Sequence, residues 1–119
     1  MSSSEAADGV VASGLEVIAI EEAAAVPLET FSGAELAYAR SKSDPLRRLA
    51  ARLAAKRAAA GLLELELVEI EVLPARGGPP TLRLSPRGEA RLRERGASRT
   101  LVSLTHGRTD AAAAVLLLR

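Results

Sequence analysis

Residues 44–60 read DPLRRLAARLAAKRAAA, and this stretch sets the architecture. Asp44 places an acceptor at an N-cap and Pro45 fits the first helical position, where no backbone N–H is needed. Leu46, Leu49, Ala50, Leu53 and Ala54 then recur at helical spacing and form a buried stripe. The helix is expected to run to about Ala60, with Gly61 capping its end. Arg48, Arg52 and Lys56 stand at i, i+4 and i+8, so they stack along one face of it. Three cations in a row repel one another unless an anion sits among them. The sharp reading is a phosphate-bearing ligand; the plain ones are a solvated face or pairing with acids elsewhere in the chain.

Upstream, Ser32-Gly-Ala-Glu35 is a capping box that opens a short helix to about Ser41. Val10–Ile20 is apolar and β-branched, which predicts a buried strand carrying one anomaly, Glu16. Residues 1–9 are small, polar and acidic, a composition that predicts a disordered tail ahead of a single domain over 10–119. Downstream, Leu65–Leu73 reads as a strand whose alternation slips near Leu67-Val68, so it contains a bulge or starts late. Gly77-Gly78-Pro79-Pro80 closes a turn spanning Ala75–Pro80. Thr81–Ser85 is a short strand, Ser85-Pro86 starts a helix that Gly96 stops, and Arg99–Thr105 and Ala111–Leu118 are strands. The predicted order is β-α-α-β-β-α-β-β: an α+β domain with a largely antiparallel sheet and one long helix.

Composition removes several classes of function. The chain has 119 residues, 48% apolar and 26% charged, with a net charge of +1, which suits one domain with one core. Phe31 and Tyr38 are its only aromatic residues, too few for stacking single-stranded bases. The near-zero charge gives no overall field for gripping DNA, so no nucleic acid is expected. With no Cys there is no disulfide scaffold, thiolate zinc site or Cys nucleophile. No apolar run reaches the ~18–20 residues that span a bilayer, and the start MSSSEAADG is no signal peptide, so the expected compartment is the cytoplasm. There is no P-loop, G-x-G-x-x-G, G-x-S-x-G or HExxH.

Charge is nonetheless segregated. Residues 1–39 hold seven acids and no base, whereas residues 40–57 hold seven bases and one acid, Asp44. Such asymmetry means internal pairing of the two segments or a basic surface for an anionic partner. Two single residues are also candidates. Glu16 in its apolar strand is paired, metal-bound or protonated if buried, and unremarkable if it faces outward. His106, the only His, ends a strand and starts a loop, where it is either an active group or a structural hydrogen-bonding one.

Together these segments resemble the holo-acyl-carrier-protein synthases, the small trimeric 4′-phosphopantetheinyl transferases, over roughly residues 13–118. Gly14-Leu-Glu-Val-Ile-Ala-Ile20 looks like the first strand of that family, and Phe31-Ser-Gly-Ala-Glu35-Leu36 like its F-[TS]-x-x-E-L helix start. Arg52-Leu-Ala-Ala-Lys56-Arg57-Ala58 is similar to R-F-A-A-K-E-A. Ile70-Glu-Val with Gly78-Pro-Pro80, Val102-Ser-Leu-Thr-His106 and the alanine-rich last strand complete the series in order. The resemblance implies transfer of phosphopantetheine from coenzyme A to a serine of an acyl carrier protein, in fatty acid or polyketide biosynthesis. It implies a trimer with sites between protomers, and a Mg²⁺ held by an Asp of strand one and a Glu of the long helix. It implies that Arg52, Lys56 and His106 help hold coenzyme A.

The sequence departs from that pattern where the chemistry is done. The strand-one Asp is Glu16, the helix Glu is Arg57, and the supporting Lys one turn on is Gly61. A Thr or Ser after the His is replaced by Gly107, and the Arg that docks the carrier protein is replaced by Glu22. At an effective ε of ~20, a unit charge ~4 Å from a cation is worth about 4 kcal/mol, so a guanidinium at a Mg²⁺ position opposes binding. Glu16 is then the only retained carboxylate, no metal site is expected, and Arg57 is expected to pair with Glu16. Glu16, His106 and Arg57 are the catalytic candidates. Three functions stay open: a transferase with an altered, impaired site; a non-catalytic carrier-binding or partner subunit; and a metal-independent enzyme acting on a carrier-tethered acyl chain through His106 or Glu16. A homotrimer or a heteromeric assembly fits all three.

Overall fold

The long helix is the axis of the fold, and it is enclosed on nearly every side. A computed structural model describes residues 9–74 and 77–119. Helix α3, Pro45–Leu63, follows β1 (Val10–Ala19), α1 (Glu22–Ala25) and α2 (Gly33–Arg40). After it come β2 (Ile70–Leu73), β3 (Thr81–Leu84), α4 (Pro86–Glu94), β4 (Arg99–His106) and β5 (Asp110–Leu118), with 3₁₀ turns at Leu28–Thr30 and Leu67–Glu69. No helix among the described residues is long and apolar enough to cross a membrane.

All strand pairs are antiparallel, but the strands divide into two sheets. One has the order β1-β5-β4 and the other is the β2-β3 hairpin. Helix α3 packs on the first sheet and touches β2 of the second. Its Ala-rich middle allows this close approach: Ala50, Ala54, Ala55 and Ala59 are fully buried beside Leu53 and Leu63. Burial therefore spreads round the helix from residue 50 to 59 instead of following the predicted stripe, and Leu46 of that stripe lies exposed near the free end.

Several sequence expectations are refined. Helix α3 continues through Gly61 to Leu63, because Leu63 is needed in the core, and it ends on Glu64 in the left-handed region at φ 53°. The Glu64 carbonyl accepts from Arg87 and Arg91, and the Leu63 carbonyl also accepts from Arg91, which fixes that turn. Strand β2 begins late, at Ile70, after the 3₁₀ turn absorbs the slipped alternation. Gly96 takes φ 81° as the stop of α4. The predicted disordered tail falls on residues 1–8, outside the described residues, apart from Gly9, whose carbonyl accepts from the Arg119 N–H. Residues 75–76 of the predicted turn also lie outside them.

Among the described residues, strand β1 is covered on one face only. Its even positions face α3, where a Cβ on Gly14 would meet Leu62 and the Ala58 carbonyl at 3.3–3.4 Å. Its odd positions leave Leu15 at 70% and Val17 at 61% exposed, and Leu101 on β4 is 48% exposed. The strand predicted as buried is thus half-covered, and the outer face of its sheet is apolar.

Candidate functional site

The Arg48–Arg52–Lys56 row on α3 does not act as a unit, because each cation meets a different neighbour. Lys56 is 1% exposed, and its ammonium donates to Glu35 Oε1 at 2.8 Å and to the Ile70 carbonyl. Glu35, itself fully buried, also accepts from the Ser32 and Val72 N–H groups. The capping box that starts α2 therefore tethers α2, α3 and β2 through one carboxylate. Lys56, which the resemblance expects to help hold coenzyme A, is buried in the core.

Arg52 is nearly buried, and its guanidinium lies 4.2 Å from the centre of the Tyr38 ring, with Lys42 over the same ring at 5.1 Å. Its Nη1 donates to the Arg48 carbonyl at 3.3 Å, while Nε is buried with no partner among the described residues. Burial pulls this guanidinium below its ordinary pKa, against the opposing influence of Tyr38 and Glu35. Arg48 is partly exposed, and its Nε donates to Asp44 Oδ1 at 3.0 Å. That bond first, and more weakly the field of His106, lowers the Asp44 carboxyl pKa. Across a gap from α3, Asp44 Oδ2 stands 4.0 Å from Nε2 of His106, at the end of β4.

Tyr38, Arg48, Arg52, Pro80, Thr105 and His106, among others, line a cleft of about 380 Å³. A planar guanidinium fixed on a ring at the wall of a cleft is suited to an oxyanion. The sequence missed Tyr38, and it missed Asp44 as anything but a cap. The i, i+4 spacing of Asp44 and Arg48 was the available signal for the latter.

Glu16 and Arg57 lie elsewhere. Five residues separate Arg52 from Arg57, which at ~100° per residue puts them about 140° apart around the helix. Glu16 is on β1 and His106 on β4, with β5 between, so two strand spacings of about 4.8 Å separate them laterally. Within one chain the two groups of candidates face different flanks of α3. The expected Glu16–Arg57 pair does not form: Arg57 Nη1 donates to Glu22 Oε1 at 2.7 Å. Glu22 is the better partner because α1 packs on α3 there, and its other oxygen already accepts the Ala19 N–H at 2.9 Å. Both bonds, Arg57 foremost, hold the Glu22 carboxyl pKa below its ordinary value. Glu16, half-buried on the face of β1 turned to α3, has no hydrogen bond or ion pair among the described residues.

This flank is a poor fit to Mg²⁺, which takes carboxylate, phosphate and water oxygens in an octahedron. Both Glu22 oxygens are engaged, the Arg57 guanidinium is fixed beside them, and no group of three metal-ligating side chains gathers among the described residues.

No family model matches the chain, but curated relatives do. The holo-acyl-carrier-protein synthase of Thermus thermophilus is 43% identical over 88 residues, which cover 73% of this chain and 70% of the relative. That of Nitratidesulfovibrio vulgaris is 43% identical over 83 residues, and the chain spans 65% of its length, just under two thirds. Among solved structures, the Chronobacterium ammoniagenes synthase–CoA complex superposes with a TM-score of 0.71 at 26% identity, covering 91% of this chain and 96% of that one. With identity at this level over more than two thirds of a relative, and the same architecture, the chain belongs to the holo-acyl-carrier-protein synthase family.

Proposed function

We propose that the protein is a phosphopantetheinyl transferase of acyl-carrier-protein metabolism that keeps its coenzyme A cleft and is impaired in Mg²⁺-dependent transfer. Coenzyme A binding is supported by the cleft between α3 and β4, which Arg48, Arg52 and His106 line, and by the CoA complex of the similar Chronobacterium ammoniagenes structure. Arg48 and Arg52 receive the phosphates there, and His106 borders them. The impairment rests on one observation, the Arg57–Glu22 pair at 2.7 Å. It stands where the resemblance puts a metal-ligating carboxylate, and it leaves Glu16 as the lone candidate ligand.

The acceptor is the serine hydroxyl of an acyl carrier protein, and the compartment is the cytoplasm. The protein assembles as a trimer through the apolar outer face of the β1-β5-β4 sheet. Assembly of copies also answers the separation of the two half-sites. The Arg52–His106 flank of one protomer meets the Glu16–Arg57 flank of the next.

Mass spectrometry of apo, holo and acylated carrier protein, each incubated with the protein, coenzyme A and Mg²⁺, tests this. The apo carrier should gain phosphopantetheine far more slowly than with the Thermus thermophilus relative run alongside. Transfer at the relative's rate overturns the impairment. Binding without any mass gain makes the protein a carrier-binding subunit, and change of the acyl chain alone makes it an acyl-chain enzyme. Arg57→Glu with Gly61→Lys should raise the Mg²⁺-dependent rate; no gain in rate or Mg²⁺ binding refutes the account of the missing site.

A further inference from the structure

Asp44 is placed at the N-cap of α3, yet its carboxylate accepts no backbone N–H there. It turns instead to two residues that line the cleft, with Oδ1 on Arg48 Nε at 3.0 Å and Oδ2 4.0 Å from His106 Nε2. It is the only acid between residues 36 and 63. The remaining lining cation, Arg52, has no acid on it, and its Nε is without a partner among the described residues. Asp44 thus holds one of the two arginines that would receive the phosphates, stands beside His106, and leaves Arg52 without an acid partner among the described residues.

We propose that Asp44 is a built-in competitor for the anion of this cleft. Its carboxylate holds Arg48, and an incoming phosphate takes Arg48 over and releases the carboxylate to cap α3. The inference rests on the reading of the cleft as a coenzyme A phosphate site. A carboxylate and a phosphate are both acceptors for one guanidinium, and two anions on the same cation repel each other. The vacant cap gives the displaced carboxylate a favourable seat on the first-turn N–H groups at the positive end of the helix. Asp44 thereby determines specificity. A single inorganic phosphate competes poorly with a tethered carboxylate, whereas a ligand carrying several phosphates also engages Arg52 and displaces it.

Calorimetric titration of the wild type, Asp44→Asn and Asp44→Ser with coenzyme A and, separately, inorganic phosphate tests this. Asn and Ser both cap helices well, so the fold is kept while the competing charge is removed. Both variants should bind coenzyme A roughly threefold to tenfold more tightly, with a steeper loss of affinity on adding salt. Inorganic phosphate should gain by at least as large a factor. If the wild type binds coenzyme A and both variants bind it equally or more weakly, Asp44 merely positions Arg48; the competitor is refuted and the cleft reading stands. If neither the wild type nor the variants bind coenzyme A, the cleft reading falls and the role of Asp44 falls with it.

Discussion

Replacing Lys56 with Met separates a core role from a ligand role for this residue. Met keeps most of the apolar stem and removes the ammonium with its bonds to Glu35 and the Ile70 carbonyl, so the packing loss is small. What remains is the Glu35 carboxylate, fully buried, with its partner gone. Removing one member of a buried ion pair costs about 3–5 kcal/mol, since the survivor is left uncompensated in a low dielectric. Glu35 retains the Ser32 N–H at 2.8 Å and the Val72 N–H at 2.7 Å, which places the cost near the lower end, about 3 kcal/mol. Against a total stability of about 5–15 kcal/mol that is a large fraction, and it should lower Tm by roughly 10–15 °C. Urea denaturation measures it directly. Adding Glu35→Gln to Lys56→Met removes the stranded charge and should recover at least half of the loss, a coupling that a double-mutant cycle reports. If Lys56→Met stays within about 1 kcal/mol of the wild type while coenzyme A affinity collapses, the lysine serves the ligand and the structural reasoning is wrong.

Gly88→Ala should destabilise by about 1–3 kcal/mol, because the new methyl would stand 2.9 Å from Leu84 Cβ and 3.0 Å from Leu65 Cδ1; a chemical melt equal to the wild type counts against this packing. Acid should erode stability as follows. Glu22, Asp44, Glu69 and Glu71 all titrate below their ordinary values: Arg57 is the first cause for Glu22, Arg48 for Asp44, the Glu66 N–H for Glu69 and the Ser32 hydroxyl for Glu71. Their folded pKa values are depressed, so their contribution is complete above the unfolded values near 4 and fades as pH falls toward the folded ones. A series of melts from pH 6 to pH 3 should therefore show Tm falling mainly below about pH 4.5, and Glu71→Gln should flatten the slope. Leu15→Asp with Val17→Asp puts charge on the exposed sheet face and should yield a folded monomer by light scattering; an unchanged oligomer places the interface elsewhere.

Local signals were legible where the local chain decides the structure. The Ser32–Glu35 box, Pro45, the Ser85-Pro86 start and the Gly96 stop all act within a turn of themselves, and each element they announce is present. The end of α3 was misread because Gly61 offers a cap, while burial of Leu63, a tertiary demand, carries the helix two residues further and forces Glu64 into the left-handed region. The β1 strand was read as buried because Leu15 and Val17 are apolar. Sequence gives the hydrophobicity of a face and not what covers it, and among the described residues nothing does.

The candidate site shows the same division at the level of charge. Segregated acids and bases were visible, and the structure joins them in the Glu35–Lys56 and Glu22–Arg57 pairs. Which acid takes which base was not visible, because pairing depends on geometry across the fold. A carboxylate already fixed by a backbone N–H, as Glu22 is by Ala19, loses less side-chain freedom when it accepts a guanidinium than Glu16 would on its open strand. Arg57 therefore goes to Glu22, and Glu16 keeps an unengaged carboxylate facing α3. This distribution sharpens the test of Arg57→Glu. The substitution removes a cation from the flank, adds a carboxylate and releases that of Glu22. If Mg²⁺ still fails to bind, the guanidinium was not what kept it out, and the spacing of the Glu16 side chain becomes the obstacle. Glu16→Asp in the Arg57→Glu background then decides between charge and reach.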